Sequence, residues 1–399
     1  MKLFERNWLR LGLGGLAFLF ALRAMYSDWR LASTYHAGDL AVYMLAVERM
    51  NAGESIYRWV NAGGMGFTYP PFAALLFKPL VWGPSQAVFL TWMTVCLVIA
   101  VLIVAVLRLI SRPHPARWVS VASTAVAVGL FLGASQVQAD LITGQVNLML
   151  ALLIILDVGE VVPERARGVL TGIAAAIKLT PIIALGWFVL SRQWRAAANC
   201  LGAFLAAGLL AHLLLPQDSN DFWTWAVRDV SRVGPVDLPL NASITGTLAK
   251  AGVDGPLRTV LWLLVGGLIV LAAYRQAHRA RVNGDPAASA ILLGCAAIVA
   301  TPIAWPHHQI WLPLAGILLI WRGRRAPMIA GLLLTLFSFL HIPLSRWWDG
   351  TGTAEPFLDS LDFMFFALVC VLGCGTPRET IMERRAEHSS PSDSLSAAR

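Results

Sequence analysis

Long apolar runs recur along nearly the whole chain, separated by short stretches rich in arginine, proline or glycine. Most runs contain about 20 residues, enough to cross a hydrocarbon core of roughly 30 Å as a helix. Membrane β-barrels instead use alternating segments of about ten residues, a pattern that this sequence lacks. Because only helices and closed barrels satisfy every backbone hydrogen bond in lipid, the pattern predicts an all-α, polytopic transmembrane bundle. We place its spans near residues 9–26, 85–107, 118–134, 144–158, 196–215, 256–274, 287–303, 307–321, 327–344 and 357–373.

Two further apolar segments, 70–83 and 168–191, are short and interrupted by proline. The segment 168–191 is too short to cross the membrane twice. The arginines on both of its sides nevertheless indicate that both of its ends lie in the cytoplasm. Since irregular backbone at membrane depth is tolerated only inside protein or beside a cavity, we expect a re-entrant hairpin of two half-helices that turns at Lys178-Leu-Thr-Pro181. With both elements the chain would have about 10–12 membrane segments. If residues 70–83 instead crossed the membrane fully, the number of crossings before residue 108 would change by one. The arginines between 108 and 117 would then lie outside.

The distribution of charge predicts the orientation of the bundle. Charged residues make up 14% of the chain, against about 25% in soluble domains. Most of the 31 basic residues lie in stretches that an inside N-terminus would place in the cytoplasm, whereas most of the 23 acidic residues do not. This asymmetry is the positive-inside pattern. It predicts a multi-pass cell-membrane protein with both termini cytoplasmic, and it accounts for the net charge of +8 without nucleic-acid binding.

The two longest loops, 27–70 and 216–255, both fall on the outer side of this topology. We therefore expect the chemistry on the periplasmic or extracellular face. Within the first loop a helical stretch follows Gly38-Asp39, and its apolar positions recur at helical spacing, which predicts an amphipathic helix lying at the membrane surface. Those positions are Leu40, Tyr43, Met44 and Val47.

Residues 1–375 form a single domain in this interpretation, and the polar segment 376–399 is predicted to be a disordered cytoplasmic tail. The chain has five cysteines, which fall in apolar runs or at their ends. Their odd number and their spacing argue against a disulfide framework or a metal site and predict buried, inert thiols.

Seven local strings, in order along the chain, together resemble one family of membrane enzymes. They are Gly38-Asp39 with Tyr43, Phe67-Thr-Tyr-Pro-Pro-Phe-Ala73, Gly144-Gln-Val-Asn147, Gly172 to Ile177-Lys-Leu-Thr-Pro181, Arg232-Val-Gly-Pro235, Asn241-Ala-Ser243 and Thr301-Pro-Ile-Ala-Trp-Pro-His-His308. Their content, order and spacing are similar to glycosyltransferase family 87, the polyprenol-phosphate-mannose-dependent mannosyltransferases. The chain departs from the family pattern at the last two strings, where the family has Asn-Gln-Ser and Ser-Pro-x-Ser-Trp-Thr-His-His.

The resemblance implies a fold of GT-C type and an inverting transfer of mannose. The substrates would be a polyprenyl-phosphate sugar and a lipid-linked or glycan acceptor, such as a phosphatidylinositol mannoside or lipoglycan, within membrane lipid and without a cofactor. Such a reaction needs a general base for the acceptor hydroxyl and cationic groups for the departing phosphate.

Asp39 is the candidate base, because it matches the aspartate in the first outer loop of the family. The alternative is that Asp39 only caps the helix, since aspartate is a favoured N-cap residue. Lys178 is the candidate phosphate-binding residue, because an ionisable side chain inside an apolar segment is costly and usually functional. Its alternative is a lysine that extends to the membrane interface.

His307, His308 and Arg232 are further candidates for binding the phosphate of the donor. Adjacent helical residues diverge by about 100°, so the two histidines would not address the same point on a regular helix. They also do not form a convergent metal-ligand set, and no metal is expected. The alternatives are an interfacial histidine pair beside tryptophans and, for the arginine, a solvated loop charge.

Four polar side chains near the outer ends of spans are candidate contacts for the sugar or the acceptor. Uncharged polar groups suit sugar hydroxyls, but helix capping explains such residues about as often. Tyr69 also precedes two prolines that restrict the backbone, so the alternative role of this segment is to fix the path of the chain. The four are Tyr69, Gln145, Asn147 and Asn241.

Two rival functions remain open at the level of sequence. The first is an arabinofuranosyltransferase of the same fold that uses a polyprenyl-phosphate arabinose. The second is a lipid or sugar transporter or flippase, which would show internal repeats and a deep site that opens alternately to both faces. No convincing repeat is visible, and the candidate residues collect on the outer face.

Overall fold

The computed structural model describes residues 38–111, 117–238, 240–347 and 355–375, together with Leu19, Leu22, Arg23 and Tyr26. The predicted tail 376–399 and most of the predicted span 9–26 lie outside the described residues. Within the described ranges the regular structure is entirely helical, which confirms the predicted all-α class.

The helices follow one another with short connections. They are α1 Gly38–Asn51, α2 Pro71–Leu76, α3 Ser85–Ile110, α4 Arg117–Gly133, α5 Ser135–Thr143, α6 Asn147–Val158, α7 Val169–Ile177, α8 Ile183–Leu190, α9 Trp194–Leu214, α10 Pro216–Asp221, α11 Ile244–Lys250, α12 Gly255–Val282, α13 Pro286–Ala300, α14 Trp311–Trp321, α15 Arg325–Trp347 and α16 Glu355–Leu372. Each predicted span from 85–107 onward overlaps one of these helices.

Three of the described helices, α3, α9 and α12, are long and apolar enough to cross a membrane alone. A fourth crossing is formed if Val121–Gly133 of α4 and the whole of α5, which meet at a bend of 63°, act as one span. Several other apolar helices have 10–17 residues, fewer than the roughly 20 that a full crossing needs. The polytopic helical fold is therefore confirmed, while the number of 10–12 segments stays a prediction.

Two predicted boundaries are wrong, and three helices, α5, α10 and α11, were not predicted. The predicted span 144–158 begins only at Asn147, because Gly144 adopts a left-handed conformation (φ 70°) that ends α5. The predicted span 307–321 begins only at Trp311, because Pro306–His308 forms a 3-10 turn. Helix α5 escaped prediction because its polar positions interrupt the apolar run.

The short elements follow their predictions. The segment 70–83 consists of α2 and a 3-10 turn at Lys78–Val81. In the segment 168–191 the chain leaves α7 at Lys178, whose backbone is extended (φ −146°, ψ 128°). A 3-10 turn at Thr180–Ile182 then leads into α8, and its Pro181 lacks the N–H that a continuous helix requires.

The two ends of this segment return to the same end of the bundle. The side chain of Asn199, in the first turns of α9, donates hydrogen bonds to the carbonyl oxygens of Arg165 (3.0 Å) and Arg167 (2.8 Å), just before α7. Only three residues connect the end of α8 to the start of α9. The half-helices α7 and α8 therefore form the predicted hairpin, with Lys178 at its tip.

Small residues allow α7 to lie directly against α9. A Cβ atom added to Gly172 would lie 2.3 Å from the carbonyl oxygen of Cys200, a distance that forbids any side chain. The buried carboxylate of Asp157 fixes the start of α7 by accepting hydrogen bonds from the backbone N–H of Gly168 (2.6 Å) and of Thr171 (2.8 Å). The hairpin is thus a firmly packed element that holds its tip in place.

The end of the bundle opposite to that tip collects arginine side chains and their partners, and we call it the basic end. Glu160 pairs with Arg167 (3.2 Å) and Arg281 (2.7 Å) there, and the buried Arg322 pairs with Asp285 (2.6 Å). All five cysteines are buried and free, which confirms the predicted buried thiols.

Candidate active site

Asp39 lies in the first turn of α1, on the side of the helix that faces the rest of the bundle. Its neighbours Leu40 and Tyr43 are almost fully buried, and its own side chain is half-buried. Burial raises the pKa of the Asp39 carboxyl above its usual range, while hydrogen bonds from Gln145 and Thr143 and the charge of Lys178 act in the opposite direction. Asp39 is thus a partly desolvated carboxylate close to a lysine.

Gln145, which lies near Asp39, contacts three other side chains. The glycine turn at Gly144 ends α5 and places this amide in the gap before α6. Its Oε1 accepts hydrogen bonds from the hydroxyls of Tyr43 (3.0 Å) and Tyr69 (2.7 Å). Its Nε2 lies 3.3 Å from Nε2 of His307. Two tyrosines and a histidine therefore meet at one buried amide.

Asn147, at the first turn of α6, makes a second junction beside the first. Its Nδ2 donates to Oδ2 of Asp140 (2.8 Å) and to the carbonyl oxygen of His307 (2.9 Å). Its Oδ1 accepts a hydrogen bond from Nζ of Lys178 (2.9 Å). The orientation of the amide is fixed by these partners, so it presents an oxygen to the lysine.

Lys178 projects from the tip of the hairpin into this cluster. Its Nζ lies 5.3 Å from the centre of the Tyr69 ring, within the range of a cation–π contact. A lysine ammonium has three donor hydrogens, and Asn147 uses one of them. Lys178 is half-buried, so a cation with remaining donor capacity lies next to the carboxylates of Asp39 and Asp140.

The histidines enter from the turn between α13 and α14. Their rings pack edge to face, with centroids 4.5 Å apart. Nδ1 of His308 accepts a hydrogen bond from the backbone N–H of Trp305 (3.3 Å), so this side chain fixes its own turn. His307 instead contacts both amides of the cluster, which distinguishes the roles of the two adjacent residues.

Arg232 and Asn241 lie outside this cluster of direct contacts. One guanidinium nitrogen of Arg232 donates to the carbonyl oxygens of Tyr57 and Phe67 (both 3.0 Å), which ties the two outer loops together. Asn241 is fully buried; its Oδ1 accepts from the backbone N–H of Ala304 (2.9 Å) and thereby holds the turn that carries the histidines. Their predicted roles in phosphate and sugar binding stay predictions.

Asp140 and Tyr43 belong to the cluster although neither was among the predicted site residues. Asp140 is completely buried, and its Oδ1 has no hydrogen-bond partner among the described residues. The signal that could have found it is an acidic residue between two apolar segments, since a carboxylate at that depth is costly and by default functional. Tyr43 was part of a family-like string, but its contact with Gln145 is visible only in the folded chain.

The arrangement combines groups for two chemical tasks. Asp39 can accept a proton from a bound hydroxyl, and Lys178 can stabilise an anionic leaving group through its charge and its remaining donors. Tyr69, Gln145 and Asn147 surround both residues with hydrogen-bonding groups. Among the described residues no group of three His, Cys, Asp or Glu side chains is arranged to hold a metal ion.

Comparison with known proteins agrees with this chemistry. The family model of glycosyltransferase family 87 matches residues 67–306. No solved structure matches the chain.

Three curated relatives cover most of the chain, and each is a mycobacterial mannosyltransferase by name. The polyprenol-phosphate-mannose-dependent alpha-(1-2)-phosphatidylinositol mannoside mannosyltransferase of Mycobacterium tuberculosis is 31% identical over 81% of this chain and 78% of its own length. The protein of the same name from Mycolicibacterium smegmatis is 32% identical over 79% of this chain and 78% of its own length. The corresponding phosphatidylinositol pentamannoside enzyme of M. smegmatis is 29% identical over 71% of this chain and 70% of its own length.

Proposed function

We propose that this chain, which belongs to glycosyltransferase family 87 and is therefore a membrane glycosyltransferase, transfers mannose from polyprenyl-phosphate-mannose to a lipid-linked or glycan acceptor. The names of the relatives supply the donor and suggest a phosphatidylinositol mannoside or a related glycolipid as the acceptor. No cofactor is needed for this displacement in our proposal, since the donor carries its own leaving group.

The observation that carries the proposal is the pair of contacts made by neighbouring amides, Lys178 with Asn147 (2.9 Å) and Gln145 with His307 (3.3 Å), near the partly buried Asp39. The cation for the phosphate is thereby held by one amide, and the candidate base for the acceptor lies close by. Preorganised groups of this kind contribute to catalysis because they need not reorganise during the reaction.

In the proposed step the acceptor hydroxyl oxygen attacks C1 of the mannosyl group from the face opposite to the phosphate. The new O–C1 bond forms as the bond between C1 and the phosphate oxygen breaks. The electron pair leaves with polyprenyl phosphate, whose charge is stabilised by Lys178 with the help of His307. Asp39 takes the proton of the hydroxyl. A β-linked donor would give an α-linked product.

We also place this site on the outer face of the membrane. The cluster lies at the end of the bundle opposite to the basic end, and basic residues mark the cytoplasmic side of membrane proteins. The donor and the acceptor would then reach the site from the outer leaflet.

The decisive experiment offers the purified full-length protein a matrix of labelled donors and acceptors, followed by analysis of the product linkage. We expect transfer from polyprenyl-phosphate-mannose with an α-linked product. Transfer only from polyprenyl-phosphate-arabinose would show that the donor sugar is arabinose and not mannose. Absence of transfer from every donor, together with movement of a labelled lipid between leaflets of reconstituted vesicles, would overturn the proposal in favour of a transporter.

The role of Asp39 is tested with Asp39→Asn, which keeps the size of the side chain but removes the base. General-base catalysis typically contributes about 10²–10⁴ to a rate, so kcat should fall by that factor while donor binding is retained. In the unchanged protein the rate should fall as the pH falls through the pKa of Asp39, and this limb should lie above the value of about 3.9 for a free aspartate. Near-normal turnover of the variant would remove Asp39 from the mechanism.

A further inference from the structure

The turn that carries the two histidines is held by the segment just before α11. The backbone N–H of Ala242 donates to the carbonyl oxygen of Ala304 (3.1 Å), and the hydroxyl of Ser243 donates to the carbonyl oxygen of Pro302 (2.8 Å). In return the backbone N–H of Ala304 donates to Oδ1 of Asn241 (2.9 Å). The second long loop therefore fixes both backbone groups of Ala304.

Asn241 is the most tightly enclosed member of this contact. It is fully buried, and its Nδ2 donates to the carbonyl oxygen of Val236 (2.7 Å). Its Oδ1 also accepts from the backbone N–H of Ser243 (3.2 Å), so both lone pairs of this oxygen are used. A Cβ atom on Gly246 would lie 2.7 Å from Cγ of Asn241, which shows that the backbone of α11 packs directly on the amide. The side chain is thus held in one orientation.

The path from this contact to the candidate active site is short. Trp305 and Pro306 are the only residues between Ala304 and His307. The proline has a restricted φ and begins a 3-10 turn. The ring of Trp305 packs against the second long loop at Gly234, where an added Cβ atom would lie 2.7 Å from the indole. A displacement of Ala304 is therefore passed on to His307 with little room for relaxation.

We propose that Asn241 is a positioning residue that acts on the donor through His307, an inference that rests on the proposed function. In that function His307 helps Lys178 to stabilise the departing phosphate. A misplacement of a catalytic group by about 1 Å can cost up to about 100-fold in rate, so the turn must be held accurately. Asn147 holds the carbonyl oxygen of His307 (2.9 Å), and Asn241 holds the same turn from the second long loop. In this role Asn241 contacts neither the sugar nor the acceptor.

A double-mutant cycle tests the proposal, because two residues that act through one contact have effects that do not add in free energy. The variants are Asn241→Ala, His307→Ala and the double variant, and the measurement is kcat/KM for polyprenyl-phosphate-mannose. Asn241→Ala should lower this constant about tenfold, the scale of a lost buried hydrogen bond. In the His307→Ala background the same change should lower it by less than about twofold, since the positioned group is absent.

Thr247→Val on α11 is the matched control. The hydroxyl of Thr247 is buried and has no hydrogen-bond partner among the described residues, and valine has nearly the same shape. This substitution should therefore leave kcat/KM unchanged in both backgrounds. Should Asn241→Ala not fold, Asn241→Asp takes its place in the cycle. It loses only the donation to Val236, and its effect should likewise disappear in the His307→Ala background.

Multiplicative losses in the double variant would overturn the positioning role, because they are the result expected of a separate sugar contact or of a purely structural residue. An unchanged kcat/KM of folded Asn241→Ala would overturn it as well. Absence of mannose transfer by the unchanged protein would instead mark failure of the proposed function. The cycle is then measured on the dissociation constant of polyprenyl phosphate, which requires no transfer. Coupling there would support the positioning role, and independent effects would contradict it.

Discussion

At the scale of single residues, the two amides that follow Gly144 organise the site, although neither has reactive chemistry of its own. Gln145 contacts His307 and two tyrosine hydroxyls, and Asn147 contacts Asp140, Lys178 and the backbone of His307. Buried amides in such networks are satisfied on both ends, which fixes their orientation. The charged residues are therefore positioned through neutral ones.

Asp140 is expected to act as a positioning residue through Asn147. Asp140→Leu removes the acceptor that orients the amide, so Lys178 loses its alignment and the KM for the donor should rise. The rise should be roughly 10-fold to 100-fold, the factor implied by loss of a hydrogen bond to a charged group. Asp140→Asn retains an acceptor oxygen for Asn147 and should stay close to the unchanged protein.

The measurement compares donor KM and acceptor KM for both Asp140 variants, after gel filtration has established that each is folded. A rise confined to the donor is the expected signature, because the proposed role acts only through Lys178. If folded Asp140→Leu kept an unchanged donor KM, the carboxylate would serve packing alone.

Site residues that break a local sequence pattern could be predicted. Site residues whose role depends on contacts with distant parts of the chain were missed. Lys178 could be named because it places a charge inside an apolar element, and Asp39 because it matches the aspartate of a family-like string. Tyr43 contacts Gln145 across 102 positions of the chain, a pairing that no local periodicity encodes. Asp140 was missed because its helix reads as a polar link between spans. Arg232 was chosen for its charge, yet its observed contacts are to loop carbonyl oxygens.

At the scale of elements, the hairpin of α7 and α8 carries the cation of the site on an irregular turn. Its rigidity comes from close packing of α7 against α9 and from the carboxylate of Asp157 at the start of α7. The sequence predicted this element well, since a short apolar segment between two arginine pairs leaves few alternatives. It did not predict that α7 packs closely against α9.

Gly172→Val should destabilise the protein through this contact. The new side chain would collide with the backbone of α9 near Cys200, and overpacking of a dense interior costs typically about 1–3 kcal/mol. The midpoint of thermal unfolding in detergent should fall by several degrees. Gly202→Val introduces the same side chain where nothing lies within 4 Å and should leave the midpoint unchanged. Equal midpoints for both variants would show that α7 and α9 are not packed closely.

At the scale of the whole molecule, the bundle separates its functions between two ends. Ion pairs of Glu160 and Asp285 with arginines gather at the basic end, and the candidate active site lies at the other end, beneath the two longest loops. Arg58 and Asp221 link those loops by a pair of hydrogen bonds of 2.9 Å each. The two ends are therefore chemically distinct surfaces.

Labelling of single cysteines in intact cells tests the orientation of these surfaces. The native cysteines are buried, so a membrane-impermeant maleimide should give little background. Gly63→Cys, in an exposed turn of the first outer loop, should react in intact cells. Val161→Cys, which is exposed near the basic end, should react only after permeabilisation. The reverse pattern would place the site in the cytoplasm.

The junction at Gln145 also determines where His307 carries its proton. Because Oε1 of Gln145 is occupied by two tyrosine hydroxyls, its Nε2 faces the histidine as a donor. Nε2 of His307 must then accept, and the neutral ring is the tautomer protonated on Nδ1. Any hydrogen bond from His307 to a departing phosphate would therefore come from Nδ1. A neutral amide thus selects which edge of the imidazole is available to the donor.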